Sequence, residues 1–174
     1  MLDAIRSRRS VRQFTADPVT DEQLKTLLEA CLLAPSAVNL RPWAIIAVRD
    51  PDLRAKLAKT HQYAGLCAGA PLVLVVGADG QRSPRWWIDD AAAAMENALL
   101  AAEALGLGGC WVGVHAGEGG EDPTREQYVR ETLGIPEHIR ILGLAAIGTP
   151  AQKPEPREAG PWEAVHFDRW GQQA

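Results

Sequence analysis

The clearest candidate for chemistry in this sequence is a cluster of basic residues near its start. Arg8, Arg9 and Arg12 surround the hydroxyl of Ser10 in the run RRSVR, although the whole chain has a formal net charge of -4. A guanidinium binds two phosphate oxygens at once, and a hydroxyl and backbone N–H groups complete such a site. The run therefore predicts a site for one terminal phosphate rather than for a polyanion. A solvated helix end is the alternative interpretation.

A second candidate is the loop PSAVNLRPW at residues 35–43. Pro35 ends a helical pattern, and an apolar run typical of a buried strand follows. Ser36 and Asn39 offer hydrogen-bond donors and acceptors, while the small Ala37 leaves room for a flat ring. An ordinary connecting loop is the alternative.

The third candidate is the glycine-rich segment GGCWVGV at residues 108–114. Glycine lets backbone N–H groups approach the edge of a ligand without obstruction by side chains. The glycines follow a predicted helix and precede a predicted strand. A dinucleotide-binding fingerprint needs the reverse order, so the segment does not indicate a Rossmann fold. A helix C-cap is the alternative.

The sequence has no set of side chains that would form a catalytic centre by itself. The four histidines, at positions 61, 115, 138 and 166, lack the spacing of metal ligands. A GxSxG elbow, a Walker loop and an HExxH pair are all missing. If the protein is an enzyme, we therefore expect a bound cofactor to supply the difficult step.

The hydrophobic pattern predicts the elements that must position these three segments. Thr20 with Gln23 forms a capping box for a helix whose apolar residues run from Leu24 to Leu32. Buried strands are predicted at 43–48, 72–76, 109–114 and 139–147, and further helices at 50–60, 86–105 and from Asp122-Pro123 to about residue 133. Two helices precede the first strand, so we predict an α+β fold with a mixed sheet rather than a regular βαβ repeat.

The last 25 residues, 150–174, have a different character. Four prolines fall between positions 150 and 161, which predicts an extended chain, yet Trp162, Phe167 and Trp170 follow. We expect this proline-rich arm to pack its aromatic side chains on a partner subunit. A disordered tail is the alternative.

Composition and charge exclude several classes of function. The 174 residues are 47% hydrophobic and 23% charged, which is typical of one soluble domain spanning residues 1–174. The net charge of -4 speaks against a nucleic-acid binder, and the longest apolar stretches are too short to cross a membrane. Three widely spaced cysteines fit neither a disulfide framework nor a zinc site, so we expect a cytoplasmic protein.

Taken together and in this order, the motifs resemble those of the nitroreductase family of flavoproteins. The matching stretches are RRSVRQF, APSAVNLRPW, DDAAAAMENALLAAEALGLGGCWVGV and IGTPAQKPEPRE, which together span roughly residues 2–158. The resemblance implies an α+β nitroreductase-like fold, with a mixed sheet of four to five strands flanked by helices, in an intertwined homodimer. It also implies one FMN per subunit at the dimer interface and NAD(P)H as the electron donor.

The resemblance also assigns expected roles to individual residues. Near the phosphate, ribityl chain and pyrimidine side of FMN we expect Arg8, Arg9, Ser10 and Arg12, with Arg12 nearest the flavin N1/C2 end. Contacts from the opposite subunit are expected from Pro35, Ser36, Ala37 and Asn39. Along the isoalloxazine we expect Trp111, Val112, Gly113 and Val114, with the Gly113 N–H near N5. Lys153 and Arg157 match basic positions that help to neutralise the phosphate.

Several functional alternatives stay open. The first is an oxidoreductase that passes hydride from NAD(P)H through flavin N5 to nitroaromatics, quinones or similar flat acceptors. The second is a specialised flavin dehydrogenase with a private substrate, and the third is a module that binds or stores FMN without turnover. Trp86 and Trp87 could wall an acceptor pocket, or they could pack in the core of a dimer helix.

Overall fold

The computed structural model describes residues 2–115, 124–155 and 157–172. Its helices are α1 (Leu2–Ser7), α2 (Asp21–Leu32), α3 (Pro51–Leu57), α4 (Leu66–Gly69), α5 (Trp87–Ala104) and α6 (Thr124–Leu133). Its strands are β1 (Trp43–Val48), β2 (Leu72–Asp79), β3 (Gly108–Gly113) and β4 (Ile139–Gly148), and 3-10 turns occur at Ala37–Asn39 and Trp162–Ala164. The predicted helix start at Asp122-Pro123 and the last two residues of the arm lie outside the described residues.

Local side-chain hydrogen bonds set several of these boundaries. The hydroxyl of Thr20 accepts from the backbone N–H of Gln23 at 3.1 Å, and the Gln23 side chain accepts from the Thr20 N–H at 2.9 Å. This confirms the predicted capping box of α2. The helix predicted at 50–60 ends earlier, at Leu57, because the chain turns there toward α4. The four residues of α4 are too few to show a helical period, so the sequence pattern missed them.

The four strands form one sheet in the order β1-β2-β4-β3. Each pairing of these described strands is antiparallel, which corrects the expectation of a mixed sheet. The long helix α5 returns the chain so that β3 runs in the same direction as β2. β2 and β3 are not neighbours, however, because β4 lies between them and runs antiparallel to both.

Helices cover both faces of the sheet. On one face, α2 and α5 pack over a core that includes Leu72, Leu74 and Val76 of β2. On the other face, α3, α4 and α6 cover a core that includes Val73 and Val75. Both faces of β2 are therefore buried, as its continuous apolar sequence predicts. The alanines of α5 lie in the first core, where their small side chains let α2 approach closely.

The arm beyond β4 lies on the surface of the protomer. Trp162 is 72% exposed and Trp170 is 89% exposed, and Phe167 is also exposed. Exposed apolar patches often mark interaction sites, so packing of the arm on a partner subunit stays a prediction. None of the helices in the described part of the chain combines the length and the apolar character needed to span a lipid bilayer.

Candidate functional site

The arginines near the start of the chain meet the arm around one cavity. Its volume is about 310 Å³, and its lining is dominated by basic side chains. The lining residues are Ile5, Arg6, Arg8, Arg9, Ser10, Arg157, Glu158 and Ala159. Segments almost 150 residues apart in sequence therefore build one positively charged cavity, which is suited to a small anion.

Arg9 is held in place by backbone carbonyls and keeps one nitrogen free. Its Nε donates to the carbonyl of Glu155 at 2.8 Å, and its Nη1 donates to the carbonyls of Arg6 at 3.1 Å and Arg8 at 2.5 Å. Its Nη2 is buried and has no hydrogen-bond partner among the described residues. A buried charged donor without an acceptor is costly, and Arg9 is one of the residues that line the cavity.

The three other cations predicted to bind the phosphate, Arg8, Lys153 and Arg157, differ in their contacts and in their distance from the cavity. The Nε of Arg8 lies 3.9 Å from Oε1 of Glu96 on α5, and both side chains stay partly exposed. Lys153 does not line the cavity, because its Nζ lies 2.5 Å from Oε1 of Glu103. Burial raises the pKa of Glu103, but hydrogen bonds from Lys153 and Ser7, together with the charges of Lys153 and Arg8, outweigh it and hold that pKa below its usual value. Arg157 therefore lies closer to the predicted phosphate site than Lys153 does.

The arginine segment is attached directly to β3. Ser10 forms a parallel bridge with Gly109, and the N–H of Val11 donates to the Gly109 carbonyl at 3.0 Å. Arg12 is exposed, and its Nη1 donates to the carbonyl of Ser10 at 3.2 Å. The first and third candidate segments are thus neighbours, which their sequence separation does not show.

The thiol of Cys110 in β3 is affected by the same segment. Burial raises the pKa of Cys110, and the charge of Arg12 and a hydrogen bond with Ser10 offset part of that shift.

Strand β3 presents an open backbone at its far end. Val112 and Val114 are buried in the core, and the N–H of Val114 donates to the carbonyl of Leu142, so the exposed residues at this end of the strand are Trp111 and Gly113. Trp111 is 38% exposed, and a Cβ placed on Gly113 would meet no other atom within 4 Å. This is the unobstructed backbone that the glycine-rich sequence predicts.

The loop at residues 35–43 has an unusual backbone. Val38, Asn39 and Arg41 have φ angles of 50°, 55° and 51°, in the left-handed region that L-residues rarely adopt. The Ser36 hydroxyl accepts from the N–H of Arg41 at 2.9 Å. Strained conformations of this kind persist where surrounding contacts fix them, and they concentrate at functional sites.

The two adjacent tryptophans have separate environments. Trp87 is only 5% exposed and packs against His115, with a ring separation of 4.9 Å, and against Arg140, whose guanidinium carbon lies 4.5 Å from its ring. The burial of Trp87 favours the alternative in which it packs in a core over the one in which it forms the wall of an acceptor pocket. Trp86 is 40% exposed, so its ring keeps surface that an acceptor could contact.

Two histidines lie near the end of β3. Within the part of the chain that the structure describes, the buried Nε2 of His115 has no hydrogen-bond partner, and His61 lies against the backbone of Gly113. Burial lowers the pKa of His115, the charge of Arg140 lowers it further, and Glu126 opposes the shift. Burial and the charge of Arg125 likewise lower the pKa of His61, and a hydrogen bond to the backbone of Gly113 opposes the shift. Both side chains are held toward the neutral form.

Sequence reasoning assigned no site role to two residues of this region. Arg6 belongs to the basic patch of residues 1–12, and it lines the anion cavity with the arginines that follow it. Asp90 accepts a hydrogen bond from the backbone of the strained loop, and its position in an alanine-rich helix gave no sign of this. A second cavity of about 370 Å³ lies between β1, α3 and α6, but it contains none of the predicted site residues.

Comparison with known proteins assigns the chain to a family. The sequence model of the Nitroreductase family matches residues 5–64 and 59–149. The chain belongs to the nitroreductase family. This confirms the resemblance drawn from its motifs.

Individual nitroreductase relatives agree over most of the chain. A protein of Thermus thermophilus named NADH dehydrogenase is 34% identical over 194 aligned positions, covering 91% of this chain and 90% of its own. A solved FMN-dependent nitroreductase from Clostridium difficile is 30% identical with a TM-score of 0.90, covering 98% of this chain and 100% of that one. The solved NADPH:FMN oxidoreductase of Vibrio harveyi, complexed with NAD+, is 30% identical with a TM-score of 0.83, covering 99% of this chain and 79% of its own. The predicted α+β nitroreductase fold is confirmed.

Proposed function

We propose that the protein carries electrons from NADH or NADPH to nitroaromatics, quinones or similar flat acceptors. The family and the names of its relatives support the general activity, that of an FMN-dependent NAD(P)H oxidoreductase. The acceptors are the further step of the proposal. The observation that carries the proposal within this chain is the buried Nη2 of Arg9, which has no hydrogen-bond partner among the described residues, in an arginine that lines a cavity with further arginines. A phosphate group would satisfy that donor and offset the local charge.

The residues present fit FMN at both of its ends. Arg8, Arg9 and Arg157 would hold the phosphate, and Ser10 would add a hydroxyl donor. Arg12 would lie at the pyrimidine end, where a cation favours the reduced, anionic flavin. The open backbone around Gly113 would leave room for the ring edge. When bound, FMN supplies the two-electron chemistry at N5, so the chain itself has to bind, orient and shield rather than provide a base.

We propose that each FMN site needs two copies of the chain. Asp90 and Glu96, which contact the loop and Arg8 respectively, are six residues apart on α5. At 3.6 residues per turn, they point to faces roughly 120° apart. The loop and the arginines of one protomer thus approach α5 from different sides, which supports a loop that serves the FMN of the other subunit. The exposed aromatic side chains of the arm support an interface of the same kind.

The acceptor and the cellular compartment complete the proposal. An acceptor pocket would use the exposed ring of Trp86, because Trp87 is buried in the protomer. A reducing cytoplasm suits the three cysteines, which are free and buried. Burial raises the pKa of Cys31 to about 11 and that of Cys67 to about 12, so both thiols should be unreactive.

The deciding experiment follows the visible flavin band of the purified protein under anaerobic conditions. We expect NADH or NADPH to bleach the band, and a nitroaromatic or a quinone to restore it. If neither NADH nor NADPH bleached the flavin band of a yellow protein, the proposed oxidoreductase activity would be contradicted. The remaining alternative would then be a module that binds FMN without turnover. Bleaching without reoxidation by any flat acceptor would instead favour a private substrate.

A further inference from the structure

Asp90 is a buried carboxylate whose two oxygens are both hydrogen-bonded. It lies in the first turn of α5 and is only 3% exposed. Its Oδ1 accepts from the backbone N–H of Ala37 at 2.7 Å, and its Oδ2 accepts from the hydroxyl of Ser83 at 2.8 Å. Burying a carboxylate is costly even when it is satisfied in this way, and the helix amino terminus offsets only part of the cost.

The same residue also holds the far end of the loop. The indole Nε1 of Trp43 donates to the backbone carbonyl of Asp90 at 3.1 Å. Trp43 is the first residue of β1, and Ala37 is the first residue of the 3-10 turn. One position on a rigid helix therefore fixes both ends of the segment 37–43.

The segment between these two anchors needs such fixing. It contains the left-handed residues Val38, Asn39 and Arg41, of which Val38 is β-branched and highly exposed. Each left-handed residue other than glycine costs free energy, and only surrounding contacts make it persist. Val38 buries too little surface to hold its own backbone, so the restraint has to come from the anchored ends.

We propose that Asp90 is the positioning residue of the cofactor loop. It acts through the Ala37 N–H and keeps residues 36–41 in the shape that receives FMN. The inference rests on the proposed function, in which Pro35, Ser36, Ala37 and Asn39 contact FMN. When the anchor is lost, the loop samples other conformations, and binding must then supply the ordering free energy.

The test compares two substitutions of Asp90 with an alanine substitution of its exposed neighbour Asp89. Asp90→Ala removes both side-chain bonds, and it should weaken FMN binding roughly tenfold or more in a fluorescence-quenching titration. Asp90→Asn keeps the shape, since its carbonyl oxygen accepts from Ala37 and its amide donates to the Ser83 hydroxyl. It should therefore bind FMN within a few-fold of the unsubstituted protein, and Asp89→Ala should be unchanged.

Amide hydrogen exchange separates positioning from general stabilisation. In the FMN-free protein, the Ala37 amide should be protected in the unsubstituted chain and in Asp90→Asn, but should exchange rapidly in Asp90→Ala. A lower melting temperature for Asp90→Ala, with unchanged Ala37 exchange and unchanged FMN affinity, would overturn the proposal. So would equal losses of FMN affinity in Asp90→Asn and Asp90→Ala.

A variant on the loop side keeps the test valid if Asp90→Ala does not fold. Ala37→Pro removes the same N–H from a partly exposed position, and Ser36 before it already has an extended backbone that tolerates a following proline. It should weaken FMN binding to a similar degree, and an unchanged affinity would overturn the proposal. If the unsubstituted protein binds no FMN, the proposed function fails, and the exchange of Ala37 still tests the anchor.

Discussion

A Cβ atom placed on Gly108 would lie 2.6 Å from Cγ2 and 2.8 Å from Cβ of Val11, nearer than folded proteins allow. Val11 is fully buried and follows Ser10 in the arginine segment. The close approach of these two residues is what lets that segment lie against β3. The anion cavity thus depends on a glycine that contributes nothing to its lining.

We expect Gly108→Ala to push Val11 away and to displace the arginines with it. Overpacking of this kind costs about 1–3 kcal/mol of the free energy of unfolding. Urea titration measures that loss, and fluorescence titration measures the accompanying loss of FMN affinity. Gly65→Ala is the matched control, since a Cβ there meets nothing within 4 Å. If Gly108→Ala matched the unsubstituted protein in both measurements, Val11 would not be the link.

Arg8→Ala tests whether the cavity binds the phosphate. Loss of one charge-assisted hydrogen bond should weaken FMN binding by about 1.5–3 kcal/mol, or roughly 10- to 150-fold. Riboflavin has the same ring without the phosphate, so its affinity should barely change. Arg82→Ala removes an equal charge from an exposed turn and should leave both affinities unchanged. Equal losses for FMN and riboflavin would show that Arg8 does not act on the phosphate.

Mixing two defective variants tests whether the site is shared between subunits. Ser36→Trp should block the loop, and Arg8→Ala should weaken phosphate binding, so each variant alone should purify with little flavin. In a mixed dimer, one of the two sites combines an intact loop with an intact arginine segment. Refolding the two variants together should therefore restore flavin, as measured by absorbance.

The outcome of the mixing experiment is clear in either direction. If the loop and the arginines of the same chain formed each site, no mixed dimer would contain an intact site. The flavin absorbance of the refolded mixture would then stay as low as that of each variant alone. Ser36→Trp that purified as a fully flavinated dimer would also contradict the placement of the loop. Refolding each variant alone is the control for recovery during the procedure.

The lowered pKa values of His61 and His115 predict a loss of stability in mild acid. The pKa values of both histidines in the folded protein lie below the ordinary value of 6.5. Between the folded values and about pH 6.5, the unfolded chain therefore binds more protons than the folded one. The free energy of unfolding is therefore highest above about pH 6.5 and falls as the pH drops toward the folded values.

Melting temperatures measured from about pH 8 to about pH 5 check this prediction. His115→Gln should flatten the decline, because the neutral amide has no proton to gain. His138→Gln, at an exposed turn before β4, is the control and should keep the full decline. An unchanged slope in His115→Gln would remove His115 from the explanation.

The sequence by itself determined the features that depend on neighbouring residues. Thr20 and Gln23 predict their capping box because its bonds join residues three apart. The apolar run 72–76 predicts a strand buried on both faces because its pattern has no polar side. The motifs RRSVR and PSAVNLRPW identified the family, and the assigned roles of their residues in FMN binding stay predictions.

Only the tertiary structure decided which distant residues meet. Ala37 and Asp90 are 53 residues apart, and Lys153 and Glu103 are 50 apart, so no local pattern could pair them. The same holds for the antiparallel insertion of β4 and for the burial of Trp87 beside an exposed Trp86. Capping and periodicity are short-range effects, whereas strand order and buried contacts depend on how the whole chain packs.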